Sequence, residues 1–230
     1  SWNIQDVYTY DIFENGTYVI EAVDNAGNVS TYETEYKFIS KVAPADPIIS
    51  IDGTVGNDNW YIKEKPVVTI TYADETSDGV PVETYYKLIT ENGEKEYILS
   101  DSNNVFTFGN EGEVTIEAWS VSESGCTSNV ISTTIKVDTD APDIQIFESS
   151  VDDDGILTIN FKIYESVSGV NTDKVCINGI PVEVVEEEGV ITGSFIVADN
   201  EVYEIVAEDN AGNVSETVEF EPLGLAVNPV

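Results

Sequence analysis

The sequence predicts an all-β chain built from antiparallel sandwiches. Apolar and polar residues alternate through successive stretches, for example 114–119 and 203–208, which is the period of half-buried strands. Asn-Gly pairs, which favour two-residue hairpin turns because both residues adopt positive φ, recur at 15–16, 92–93 and 178–179. No stretch shows a helical apolar stripe with capping residues.

A repeated turn divides the chain. The seven residues DNAGNVS occur at 24–30 and again at 209–215, and so long an identity indicates an internal repeat. In three places a turn glycine precedes a proline by 17 residues: Gly27 and Pro44, Gly125 and Pro142, Gly212 and Pro229. This spacing predicts the C-terminal part of one module at 1–40, complete modules at 44–137 and 141–222, and the start of a linker at 223–230.

These repeats resemble tandem bacterial immunoglobulin-like domains of large cell-surface proteins. The resemblance is carried by the strand-and-turn segments 20–30 and 205–215 and by the linker VDTDAPDI at 137–144. It implies tandem immunoglobulin-like antiparallel β-sandwiches in an elongated, monomeric array, extracellular at a bacterial cell surface or cell wall. The expected partners are further modules of the same longer chain. The middle module departs from the pattern, with SVSESGCTSN at 120–129.

Composition excludes several function classes. The chain has 44 Asp and Glu against nine Lys and Arg, no His, and a formal net charge of −35. Such a charge repels nucleic acids and anionic membrane surfaces. The sequence contains no apolar run of about 18 residues, so we expect no membrane insertion. Without histidine or a recognisable catalytic motif, we expect no enzyme. Divalent cations are the natural partners of so acidic a chain.

Acidic groups from three segments are expected to meet where the last module begins. The turn before the last strand and the loop after the second strand both lie beside the incoming linker in such a sandwich. The predicted metal ligands are Asp138, Asp140, Asp143, Glu165, Asp209 and Asn210. Calcium takes six to eight oxygen ligands in irregular geometry, and the linker also resembles cadherin-type linkers, in which calcium stiffens the joint. The alternative is that the Asx-rich turn only closes a strand reversal.

The preceding joint predicts weaker or absent calcium binding. Its linker, SKVAPADP at 40–47, offers Asp46 but also carries Lys41. On this interpretation Ser120 replaces the carboxylate of the turn.

The expected function is that of a non-enzymatic spacer or stalk, with calcium stiffening the joint between modules. The alternative is an adhesin module that binds a surface glycan or protein through exposed aromatic rings, since Trp and Tyr stack on sugars and anchor partners. The rings proposed for that role are Trp60, Tyr61, Tyr85, Tyr86 and Trp119 of the middle module. The same rings could instead cover sheet edges or pack on a neighbouring module.

Overall fold

The chain is all-β, as predicted. The computed structural model describes residues 8–109 and 111–222, and the regular structure of these residues consists of β-strands and two single 3-10 turns. The predicted linker at 223–230 and the first seven residues of the predicted module 1–40 lie outside the described residues. Within the described part of the chain, no helix is long and apolar enough to cross a membrane.

The first two strands form an antiparallel hairpin, here called the N-terminal hairpin. It consists of β1 (Gly16–Val23) and β2 (Val29–Tyr36), paired from Gly16↔Tyr36 to Val23↔Val29. Both faces are open to solvent, and the side chain of Ile20 is 61% exposed.

The middle unit comprises strands β3 to β10 in two sheets. One sheet has the order β3-β5-β8 and the other β4-β10-β9-β6-β7. A 3-10 turn, Asn57–Asn59, lies between β3 and β4, and β4 pairs in parallel with β10. The strands are β3 (Ile48–Asp52), β4 (Trp60–Tyr61), β5 (Val67–Thr71), β6 (Val82–Thr90), β7 (Gly93–Ile98), β8 (Val105–Phe106), β9 (Gly112–Ser122) and β10 (Ile131–Val137).

The last unit comprises strands β11 to β18, again in two sheets. Their orders are β11-β12-β16-β15 and β14-β13-β17-β18, and a 3-10 turn, Thr172–Lys174, precedes β13. The strands are β11 (Asp143–Val151), β12 (Leu157–Tyr164), β13 (Cys176–Ile177), β14 (Ile180–Pro181), β15 (Val184–Glu187), β16 (Val190–Ile196), β17 (Tyr203–Val206) and β18 (Val218–Phe220). Residues 138–142, between the two units, are called the linker.

Each unit has its own hydrophobic core between its two sheets. In the middle unit Val68 and Ile70 of β5 pack against Val114 and Ile116 of β9. In the last unit Phe161 of β12 packs in one cluster with Ile205 of β17. That the two sheet pairs are separate immunoglobulin-like domains in tandem stays a prediction.

The repeated turn has the same hydrogen bonds in all three places. In each copy the glycine N–H donates to a carbonyl three residues earlier, at 3.0 Å for Gly27, 2.8 Å for Gly125 and 3.3 Å for Gly212. All three glycines have positive φ (87°, 83° and 101°), as the sequence predicted. Only glycine adopts this conformation at little steric cost, which explains why glycine recurs at this corner.

Gly193 provides a test of core packing in the last unit. It lies on β16 with its backbone against the ring of buried Phe161, and a β-carbon at this position would overlap the ring. We expect Gly193→Ala to lower the free energy of unfolding by about 1–3 kcal/mol, because overpacking forces the ring or backbone to shift. Differential scanning calorimetry against wild type measures the loss. The control is Ser194→Ala, at an exposed position of the same strand; equal melting for both variants would contradict this packing.

Candidate metal centre

Three carboxylates from separate segments meet where the linker enters the last unit. Asp138 lies in the linker directly after β10, Glu165 directly follows β12, and Asp209 occupies the turn after β17. One carboxylate oxygen of each lies within 4.8 Å of the others. Asp138 and Asp209 have no exposed surface, and Glu165 is half-buried. Among the described residues, no other group of three acidic, His or Cys side chains lies this close together.

Asp138 is fixed by both units. Its backbone N–H donates to the Tyr61 carbonyl of the middle unit (3.0 Å). Its own carbonyl accepts a hydrogen bond from Asn213 Nδ2 (2.9 Å), and its Oδ2 accepts one from the Ser168 N–H (3.0 Å). Its other carboxylate oxygen, Oδ1, is buried without a hydrogen-bond partner. Leaving a buried acceptor unpaired costs about 1–3 kcal/mol, and more for a charged group. A ligand bound to this oxygen would therefore stabilise the folded state.

Asp209 is held by its own turn. Its Oδ1 accepts hydrogen bonds from the backbone N–H groups of Gly212 (2.7 Å) and Asn213 (2.8 Å). Its Oδ2 accepts one from Asn213 Nδ2 (2.8 Å). The Asn213 amide therefore connects the turn carboxylate to the linker, because the same Nδ2 also donates to the Asp138 carbonyl.

Glu165 completes the group from the loop after β12. Its Oε1 accepts a hydrogen bond from the Val167 N–H (2.6 Å). Directly after Val167, the Ser168 N–H donates a hydrogen bond to Asp138 Oδ2. The same short loop thus carries one carboxylate and orients another.

The electrostatics disfavour three free carboxylates at this place. Burial raises the pKa of Asp138 above its ordinary value, and the charges of Asp209 and Glu111 raise it further. Burial likewise raises the pKa of Glu165, with further contributions from the charges of Asp138 and Asp209. None of the salt bridges of the described residues involves the three carboxylates. A bound cation would neutralise this repulsion, and an all-oxygen set suits a hard cation such as calcium or magnesium.

The other predicted ligands lie outside this group. Asp140 and Asp143 are exposed, and Asp143 accepts a hydrogen bond from Gln145 Nε2 (2.6 Å). Asn210 donates from its Nδ2 to the Ser168 carbonyl (2.9 Å), so it braces the loop that binds Asp138. The sequence interpretation missed the role of Asn213. The signal was present, because Asn213 ends the repeated DNAGN motif and its counterpart Asn28 binds Asp24 in the same way.

The preceding joint replaces carboxylates with hydroxyls. The assignment of Ser120 to the position of Asp209 is wrong: Ser120 is buried beside Thr84 (2.7 Å between hydroxyl oxygens). Ser122, three residues before Gly125, occupies the equivalent place, and its Oγ accepts a hydrogen bond from the Cys126 N–H (3.1 Å). In the preceding linker, residues 40–47, the Ser40 hydroxyl donates a hydrogen bond to Asp78 (2.7 Å). Asp46 is bound by the Asn129 backbone and side chain (2.9 and 3.0 Å).

The aromatic residues proposed for ligand binding face different ways. The prediction that Tyr86 binds a ligand is wrong. Its ring is buried in the core between Tyr97 and Phe106 and presents no free face. Tyr61 also packs against the core. The remaining three lie on the opposite side of their sheet from the core: Tyr85 and Trp119 stack with centroids 5.7 Å apart, and Trp60 lies beneath Lys136.

Trp60 is remote from the stacked pair. It lies opposite Lys136, which in turn lies opposite Glu113 on β9. Glu113 and Trp119 are six residues apart on that strand, or about 20 Å at the rise of an extended chain. The five rings therefore do not form one surface.

Comparison with known proteins adds no family assignment. No protein-family model matches the chain, and no curated protein matches it significantly. The resemblance to bacterial immunoglobulin-like domains therefore stays a hypothesis based on the sequence pattern.

The raised pKa values predict that mild acid stabilises the metal-free protein. Because the folded-state pKa values of Asp138 and Glu165 lie above their ordinary 3.8 and 4.5, each group binds more protons in the folded than in the unfolded state at pH values between its ordinary pKa and its raised pKa. The free energy of unfolding therefore falls as the pH rises through that window. In chelator, we expect the melting temperature to rise as the pH is lowered from neutral toward the ordinary pKa values of the two groups.

The double variant Asp138→Asn/Glu165→Gln serves as the control for this pH dependence. Other carboxylates also lose mutual repulsion on acidification, and this part of the effect is common to both proteins. The variant lacks the two titrating groups, so its melting temperature should rise less. An identical pH dependence for wild type and variant would contradict the assignment.

Proposed function

We propose that the chain is a non-enzymatic spacer segment of a secreted bacterial cell-surface protein, with a calcium ion stiffening the joint between the middle and last units. The observation that carries the proposal is the buried, unpartnered Oδ1 of Asp138 inside a group of three carboxylates. A buried carboxylate of this kind is stable when it is paired, when it coordinates a metal or when it takes up a proton.

Calcium is the cation that best suits the donor set. The three carboxylates come from the linker and from two loops of the last unit, so they are not held on one rigid element. Calcium accepts irregular arrangements of six to eight oxygens, whereas magnesium demands near-ideal octahedral geometry and retains several waters. The expected role is structural.

The location of the carboxylates explains how a cation would stiffen the joint. Asp138 belongs to the linker and is bonded through its N–H to Tyr61 of the middle unit. Glu165 and Asp209 belong to the last unit. A cation bound by all three would tie the linker to the last unit, while the Tyr61 bond already ties it to the middle unit.

The N-terminal hairpin supports a repeat of similar units along a longer chain. Ile20 lies seven residues before Gly27, as Ile205 lies before Gly212 and Ala118 before Gly125. Ile205 and Ala118 have no exposed surface, whereas Ile20 is 61% exposed. The position seven residues before the turn glycine is therefore buried in the core of both the middle and the last unit, but exposed in the hairpin. On our proposal, the hairpin is the end of a further module.

The alternative role, binding of a glycan or a protein partner, rests on a smaller basis. Of the five rings, only the stacked Tyr85 and Trp119 provide an outward pair. The acidic surface suits the spacer role better, because like charges keep neighbouring copies apart. A glycan array that gave specific binding to wild type and none to Trp119→Ala would favour the adhesin.

Calcium binding has a direct test in stability. We expect calcium at about one hundred times its Kd to raise the free energy of unfolding by about 3 kcal/mol, since a ligand that binds only the folded state stabilises it. Calorimetry of chelated and calcium-loaded protein measures this. Small-angle scattering should show a narrower distribution of interatomic distances with calcium, because the joint would bend less.

Matched variants separate the site from general acidity. Asp138→Asn and Glu165→Gln each remove a charge from the carboxylate group and should abolish most of the calcium effect. Asp140→Asn removes the same charge from an exposed position two residues along the linker and should leave the effect intact. If all three variants respond like wild type, calcium binds elsewhere or only as a diffuse counterion.

A further inference from the structure

One segment of the middle unit contacts both chain segments that bring Asp138 and Asp209 together. Within residues 56–61, the Asn57 N–H donates to the carbonyl of Ala211, in the turn that carries Asp209 (2.7 Å). The carbonyl of Tyr61 accepts the hydrogen bond from Asp138 in the linker (3.0 Å). Neither residue is itself one of the carboxylates. We call residues 56–61 the docking segment.

A single peptide group connects this contact to a carboxylate. The carbonyl of the Ala211–Gly212 peptide accepts from Asn57, and the N–H of the same peptide donates to Asp209 Oδ1 (2.7 Å). Hydrogen bonds in such a chain polarise one another. Moving the docking segment away would therefore weaken the hydrogen bond from the Gly212 N–H that orients the Asp209 carboxylate.

The contact is close because Gly56 has no side chain. A β-carbon on Gly56 would overlap the Ala211 carbonyl oxygen and would also come within 2.9 Å of the Ile62 side chain. On the other side, a β-carbon on Gly212 would lie 3.1 Å from Asn57 Nδ2. The Asn57 side chain also donates to Glu208 Oε1 (3.3 Å). Two small residues thus allow two backbones from different units to touch.

The docking segment is specific to the middle unit. There, β3 and β5 are separated by residues 53–66, which contain the 3-10 turn and β4. In the last unit the corresponding strands, β11 and β12, are joined by a short turn in which Asp152 Oδ1 accepts from the N–H groups of Asp154 and Ile156. The middle unit therefore has an additional segment at the place where the next unit is held.

We propose that the docking segment positions the carboxylates for the cation, so that cation affinity and contact between the units are linked. This inference rests on the proposed cation site. By reciprocity, loss of the contact weakens cation binding, and cation binding strengthens the contact by the same factor. The cation site is then a property of the joint and not of the last unit alone.

Gly56→Ala in the full chain tests the linkage without altering a carboxylate. The glycine has φ −98°, outside the left-handed region, so the main effect of the methyl group is the overlap with Ala211 and Ile62. We expect calcium affinity, measured by isothermal titration calorimetry, to fall about fivefold or more, the usual range for coupled sites. Gly109→Ala is the matched control, because a β-carbon there meets nothing within 4 Å, and its affinity should equal that of wild type.

Amide exchange in the wild-type protein gives a second measurement that needs no variant. Saturating calcium should slow hydrogen exchange of the Asn57 N–H, measured by NMR, by a factor similar to the affinity loss in Gly56→Ala. If Gly56→Ala does not fold, this exchange measurement decides the question.

The outcomes separate the two proposals. If wild type binds calcium but Gly56→Ala binds it equally well and Asn57 exchange is unaffected, the linkage is overturned while the proposed cation site stands. If wild type binds no calcium at all, the proposed cation site fails, and the linkage fails with it.

Discussion

The burial of the Asp138 carboxylate is the constraint on which the joint between the units depends. Its backbone bonds to Tyr61 and Asn213 hold the linker in one path, and that path places Oδ1 in the interior without a partner. An isolated buried charge is far costlier than any single hydrogen bond gained here. The joint is therefore adapted to a positive ligand or to a proton, and these two alternatives compete for the same oxygens.

Much of the fold could be predicted from the sequence because its signals are local. Alternation of apolar residues locates strands such as β9, and the recurrence of Gly27, Gly125 and Gly212 locates equivalent corners whose backbone requires glycine. The docking segment could not be predicted in this way. It has no counterpart in the last unit, and its importance comes from a contact between residues more than 150 positions apart, Asn57 and Ala211.

The site was predicted in part, for a physical reason. Asp138, Glu165 and Asp209 meet because strand ends meet at one pole, which topology alone dictates. The exposure of Asp140 and Asp143 could not be predicted, because acidic composition does not determine which way a linker side chain points. Tyr85 and Tyr86 could not share one binding face, since neighbouring residues of one strand face opposite sides of the sheet.

The parallel pairing of β4 with β10 has a mechanical consequence for a chain under tension. Strand β4 lies near the start of the middle unit and β10 at its end, and they are joined at Trp60↔Lys136 and Tyr61↔Val137. Pulling the two ends of the unit apart slides parallel neighbours along each other, which loads both pairs together in shear instead of opening them one after the other. Asp138 directly follows β10, so force leaving the unit would pass through the residue that the cation is proposed to hold.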